Sequence, residues 1–163
     1  MFDRFRTANN IVVDTGPLLI HAVGAFRRDK VKDVCLCDDP EEEFEFLNKL
    51  FTSRKQFYIT PYILSELLYK LRRELKLKEK DVEEFFCRYR DFLNTIGEFY
   101  IEKGKLINHK RIKFGLADIS LMLAYKEKGY LIISGDEVFC RLCEKENIEF
   151  IEYKTFFFNR IFM

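Results

Sequence analysis

Ile11-Val12-Val13-Asp14-Thr15-Gly16-Pro17-Leu18 is the stretch on which the fold turns. Three β-branched residues favour a short extended strand, and Thr15-Gly16-Pro17 then supplies a cap, a turn residue and a proline able to open a helix. The reading is strand, tight turn, helix, with an acid at the junction. Further along, Phe57-Tyr58-Ile59 runs into Thr60-Pro61, which opens a helix whose apolar face is Ile63, Leu64, Leu67, Leu68 and Leu71. Glu66 lies in the second turn of that helix.

The same alternation extends to the rest of the chain. The charged, irregular stretch 27–40 ends at Asp38-Asp39-Pro40, which starts a helix carrying Glu41, Glu42 and Glu43 in its first turn and running to about Arg54. After a basic stretch from Lys70 to Lys80, the spacing of Val82, Phe85, Phe86, Tyr89 and Leu93 predicts an amphipathic helix over 81–94. Phe99-Tyr100-Ile101 is expected as a third strand. Gly115-Leu116-Ala117-Asp118 begins a helix that ends near Gly129, Tyr130 to Ser134 forms a fourth strand, Glu137 to about Glu146 a short helix, and Ile148 to Ile151 a fifth strand. Strands separated by helices argue an α/β fold with a mostly parallel five-stranded sheet covered on both faces, a three-layer α/β/α sandwich.

The 163 residues suit one domain, with the patterned core over about 11–153 and an aromatic tail over 154–163. A content of 48% hydrophobic and 34% charged residues, with 18 Phe and 8 Tyr, excludes a disordered chain. No apolar run approaches the roughly 18 residues needed to cross a bilayer, and no export signal is visible, so a soluble cytoplasmic protein is expected. The five cysteines are then expected as reduced thiols. Cys35 and Cys37 with Cys140 and Cys143 have the numbers for a four-thiolate zinc site, but the first spacing is tight and the second pair falls within a helix. The tail Phe156-Phe157-Phe158 to Phe162-Met163 must pack somewhere, either back on the domain or on a second copy, and a homodimer is the favoured expectation.

Four acids stand out. Asp14 follows the first strand and Asp136 the fourth, Asp118 opens the preceding helix, and Glu66 is early in the helix after the second strand. In open parallel sheets the ligand crevice lies outside the carboxyl ends of the strands, where neighbouring elements would bring all four together. Clustered carboxylates repel one another and are costly unless a cation neutralises them. An oxygen-only set selects Mg²⁺ or Mn²⁺, and His21 and His109 are the only histidines available for other chemistry. Helix capping is a sufficient alternative reason for each of the three aspartates taken alone, and an amphipathic helix carries an exposed Glu commonly.

Taken together, Val12 to Leu18, Thr60-Pro61-Tyr62-Ile63-Leu64-Ser65-Glu66-Leu67, Gly115-Leu116-Ala117-Asp118-Ile119-Ser120 and Leu131-Ile132-Ile133-Ser134-Gly135-Asp136 resemble the PIN-domain family of metal-dependent ribonucleases. The resemblance implies that Asp14, Glu66, Asp118 and Asp136 hold one or two Mg²⁺ or Mn²⁺ ions, with Thr15 and Ser134 as hydroxyl partners of the first and last acids. It implies an RNA substrate, hydrolysis of phosphodiester bonds and, for the many toxin relatives, an antitoxin protein as partner. Gly135 is a backbone-permissive residue that would leave the final acid loosely held.

A net charge of only +1 gives the chain no broad field for a phosphate backbone, so contact with RNA requires a local patch. Lys110, Arg111 and Lys113, just before the third motif, could form one, or belong to an ordinary solvated loop. Lys70, Arg72 and Arg73 complement a helix C-terminus whether or not RNA binds. A non-catalytic PIN-like RNA- or protein-binding module is the alternative function. A nucleotide-binding protein is disfavoured, since Gly16 stands alone where a glycine-rich phosphate loop would be needed.

Overall fold

The β-branched run forms β1 (Asn10–Val13), and α2 (Thr15–Phe26) follows immediately, preceded by a short α1 (Phe2–Thr7). These elements belong to a computed structural model that describes residues 2–159. A 3₁₀ turn (Arg28–Asp33) leads to α3 (Pro40–Phe51), β2 (Gln56–Ile59), α4 (Pro61–Glu74) and α5 (Glu79–Thr95). Then come β3 (Gly97–Glu98), α6 (Lys103–Ile107), a second 3₁₀ turn (Ile112–Phe114), α7 (Leu116–Lys128), β4 (Leu131–Ser134), α8 (Glu137–Lys145), β5 (Phe150–Glu152) and α9 (Tyr153–Phe158).

The sheet is parallel throughout in the order β3-β2-β1-β4-β5, with helices on its faces, as the alternation predicts. β1 is central and buried, with Val12 opposite Tyr58 on one side and Ile132 on the other. The chain winds outward from β1 through β2 to β3, then returns to lay β4 against the other edge of β1. That reversal puts a crevice at the carboxyl ends of β1 and β4.

Two strands are displaced from their expected positions. The third begins at Gly97 rather than Phe99: Phe99 N donates one last bond to Ile59 O at 2.9 Å, and the chain then leaves the sheet, with Tyr100 76% exposed. A Cβ on Gly97 would stand 2.6 Å from the Tyr58 ring, which itself stacks on Tyr130, so only glycine passes here. The fifth strand begins at Phe150 rather than Ile148, because the Ile148 amide is spent on Cys143 O, closing α8 after the left-handed Asn147. Helices α1, α6 and α9 are too short to leave a periodic signal in the sequence.

The aromatic tail is explained in part. Glu152 caps α9 by accepting from Lys154 N and Thr155 N, and Phe156 and Phe157 are buried, Phe156 against both Phe5 and Phe46, Phe157 against Phe46. Both rings are therefore used within the chain and offer no argument for a second copy; Phe162 and Met163 lie outside the described residues. The cysteines are free thiols, and burial pushes Cys37, Cys140 and Cys143 up to about 12. Among the described residues no helix is long and apolar enough to cross a membrane.

His21 lies in an aromatic nest of Phe44, Phe51, Tyr89 and Phe92, with Nδ1 2.6 Å from the Tyr89 hydroxyl. Burial lowers its pKa to about 4 from an ordinary 6.5. The unfolded chain therefore binds the extra proton first, and stability present above pH 6.5 is lost as pH falls towards 4. Between pH 7.5 and 5 the wild type should lose about 2 kcal/mol more than a His21→Phe variant, read from urea midpoints at each pH.

Candidate active site

Asp14 ends β1 and is positioned by the sheet itself. Its amide donates to Ile133 O at 2.9 Å, continuing the β1–β4 ladder by one residue, while its Oδ1 accepts from Thr15 N at 2.6 Å as the cap of α2. Its Oδ2 accepts from Ser134 Oγ at 2.5 Å, and the same Oγ accepts from Asp136 N at 3.0 Å. Ser134 is thus the hinge pin between the first and last acids. Thr15 donates its hydroxyl to Glu66 Oε2 at 2.9 Å, tying α4 to the same junction. Both hydroxyls touch members of the acidic set.

Asp136 caps α8, its Oδ1 accepting from Val138 N and Phe139 N. It is therefore held firmly, contrary to the expectation attached to Gly135. Gly135 leaves room for a neighbour: a Cβ there would meet Leu36 Cδ1 at 2.5 Å, and the same methyl lies 3.9 Å from a Cβ built on Gly16. Leu36 roofs both acid-bearing turns. Its loop is pinned by Glu43, a fully buried carboxylate in α3 whose Oε2 accepts from Leu36 N at 3.0 Å and Cys37 N at 3.1 Å. In the sequence Glu43 is one of three acids in a first turn, and nothing local distinguishes it from Glu41 and Glu42.

Asp118 is the exception to the capping explanation. The cap of α7 is Gly115, at φ +105°, and among the described residues the Asp118 side chain makes no hydrogen bond and no ion pair. Burial raises its pKa to about 7, with further contributions from the charges of Asp14, Asp136 and Glu66. Asp14 is likewise raised, by burial first, against the pull of its Ser134 and Thr15 bonds. Lys70, one turn after Glu66, stands 3.4 Å from Glu66 Oε1 and acts as a counter-charge to Asp14 and Asp118 as well. The sequence reading gives Lys70 only a helix-end role, though its four-residue spacing from Glu66 is a usable signal of the pairing.

Above these groups opens a cleft of about 590 Å³ lined by Glu66, Asp118 and Asp136, with Tyr62, Tyr69 and Phe114 around them. Its two walls are locked together below by Thr60 Oγ1 and Ser120 Oγ, 2.7 Å apart, with Ser120 donating on to Ala117 O. The donor set is carboxylate oxygen only, which suits a hard divalent cation. As the side chains stand, however, no group of three His, Cys, Asp or Glu among the described residues is placed to hold a metal ion. Glu66 is drawn to Thr15 and Lys70, and Asp136 gives one oxygen to its helix. Glu66, Asp118 and Asp136 line one cleft and Asp14 shares their field, without the four converging on a point.

Of the expected basic rim, Lys110 and Arg111 are engaged elsewhere. With Lys126 they surround Glu146 at 3.1, 2.7 and 3.7 Å, holding its carboxyl down at about 2. Lys113 stays clear of that knot and lies over Phe114. No known family model matches the chain, and no curated protein matches it.

Because the folded pKa of Asp118 is above its unfolded value, the folded state holds the proton more tightly, and metal-free stability falls as pH rises from about 4 through 7. In EDTA, Asp118→Asn should raise stability by about 2 kcal/mol more at pH 8 than at pH 5, measured by chemical denaturation. Equal effects at both pH values would mean that Asp118 is not held against its neighbours' charge.

Proposed function

We propose that this protein is a metal-dependent endoribonuclease that hydrolyses RNA phosphodiester bonds, as its likeness to the PIN-domain family implies. The observation that carries the reading is Asp118: a largely covered carboxylate with no donor among the described residues and no capping duty, held against the charges of three other acids. Such a charge is costly in a folded protein unless a cation offsets it. Asp14, Glu66, Asp118 and Asp136 are the residues that would hold Mg²⁺ or Mn²⁺. That ion, when bound, supplies charge neutralisation of the phosphate and activation of a water.

The chain's own residues supply the rest. Ser134 orients Asp14 and anchors the turn that aims Asp136. Thr15 and Lys70 hold Glu66 at the edge of the cleft. Tyr62, Tyr69 and Phe114 offer flat faces beside the acids on which unstacked bases can lie. The spread of the acids favours one other reading, a PIN-like module that binds RNA or protein without cutting.

Titration of Mn²⁺ into wild type and an Asp14→Asn, Asp118→Asn double variant, followed by incubation with mixed cellular RNA, separates these readings. Wild type should bind the ion and cleave, and the double variant should be slower by about 100-fold or more, the loss of several kcal/mol of transition-state stabilisation. Cleavage that survives both substitutions would remove the acids from the chemistry. RNA binding with neither metal uptake nor cleavage would leave the binding module.

A further inference from the structure

Beside the acidic cleft lies a second one, of about 270 Å³, whose charged lining is of one sign: Arg111, Lys113, Arg141 and Lys145, with Phe114 and Val138. Phe114 lines both clefts, and Val138 is two residues from Asp136, so the two adjoin across one ring and the first turn of α8. One therefore presents three carboxylates and the other three unpaired cations beside Arg111, which is tied to Glu146.

Local structure does not account for the cations. Among the described residues, Lys113, Arg141 and Lys145 make no ion pair, whereas the neighbouring Lys110 and Arg111 are tied to Glu146. Lys145 in the last turn of α8 complements the helix dipole, but Arg141 is one turn earlier and Lys113 comes from the separate 112–114 turn. Arg141 and Lys145 are a like-charged pair four residues apart, which costs helix stability. Val138, 55% exposed, adds an apolar surface at the same mouth. Charge of one sign gathered from two elements, next to a flat ring and an apolar patch, suits a phosphate joined to a nucleoside rather than a free anion.

We propose that this cleft is a phosphate subsite that holds a phosphate of the RNA strand whose scissile bond lies over the acids. The inference rests on the nuclease reading for its orientation. A strand crossing Phe114 would pass from carboxylates, where a cation must intervene, to guanidinium and ammonium groups that take a phosphate directly. The subsite fixes which side of the cut must carry a further phosphate and sets a minimal substrate length.

The test is binding of a fluorescent single-stranded 12-nucleotide RNA in EDTA, followed by polarisation, so that no cleavage intervenes. A Lys113→Gln, Arg141→Gln, Lys145→Gln variant is compared with wild type and with Lys30→Gln, Lys32→Gln, Lys49→Gln, which removes equal charge from residues lining neither cleft. The cleft variant should bind about tenfold or more weakly at 50 mM salt, with the slope of log K against log salt shallower by about 0.7 for each phosphate no longer neutralised; the control should stay within about twofold. Equal weakening in both variants, or none in the cleft variant, overturns the subsite. Should the triple variant fail to fold, Lys113→Gln alone, on an exposed turn, should cost about threefold, while Lys113→Arg keeps wild-type binding. RNAs with a 5′-phosphate and a 5′-hydroxyl distinguish the sources: equal affinity assigns an internal phosphate, and a preference for the phosphorylated end that vanishes in the cleft variant assigns a terminal one. Because binding is read without metal, failure of the nuclease assay leaves this result standing, and a protein that cleaves while its cleft variant binds unchanged refutes the subsite alone.

Discussion

The single hydrogen bond from Asp14 N to Ile133 O carries the β1–β4 ladder past the end of the strands and into the turns. It brings the residue after β1 level with the end of β4, and the Ser134 hydroxyl then spans both by bonding Asp14 and receiving the Asp136 amide. Two acids 122 positions apart in the chain are held through one buried oxygen. The reversal of winding at this pair of strands leaves the crevice open above them, so topology, hydrogen bonding and the place of the acids are one constraint.

Electrostatics works against that arrangement and is only partly relieved. Hydrogen bonds from Thr15 and Ser134 favour the ionised form of Asp14, and Lys70 offsets some of the remaining charge, but burial dominates for Asp14 and Asp118 alike. Asp118 has no donor at all among the described residues. A fold that needed these residues only as helix caps would gain nothing from an acid that caps no helix and lies within the field of the others. The neighbouring cationic cleft carries the opposite charge, with Lys70 paired to Glu66 on the one side and Arg111 to Glu146 on the other.

Support for the site reaches well behind it. Glu43 gives up solvent to hold two loop amides, and through them it presses Leu36 against Gly135 and above Gly16. Thr60 and Ser120 join the start of α4 to the first turns of α7, setting the separation of Glu66 and Asp118. These are contacts between residues that local pattern treats as ordinary. A Glu in a first turn reads as dipole complementarity.

The order of strands and helices was legible because apolar period and turn chemistry are local: Ile11 to Pro17 encodes strand, cap and helix within seven residues, and Thr60-Pro61 repeats the device. The four acids were legible as candidates for the same reason, since each stands at an element boundary or within two turns of one. Strand limits at Gly97 and Phe150 were not, because they depend on the Tyr58 ring and on an amide already spent in closing α8. Nor could the sequence separate capping from charge clustering, or tell Lys113 from Lys110 and Arg111. Those distinctions rest on which partners reach a side chain across the fold, a matter of distance in space that neither composition nor spacing along the chain contains.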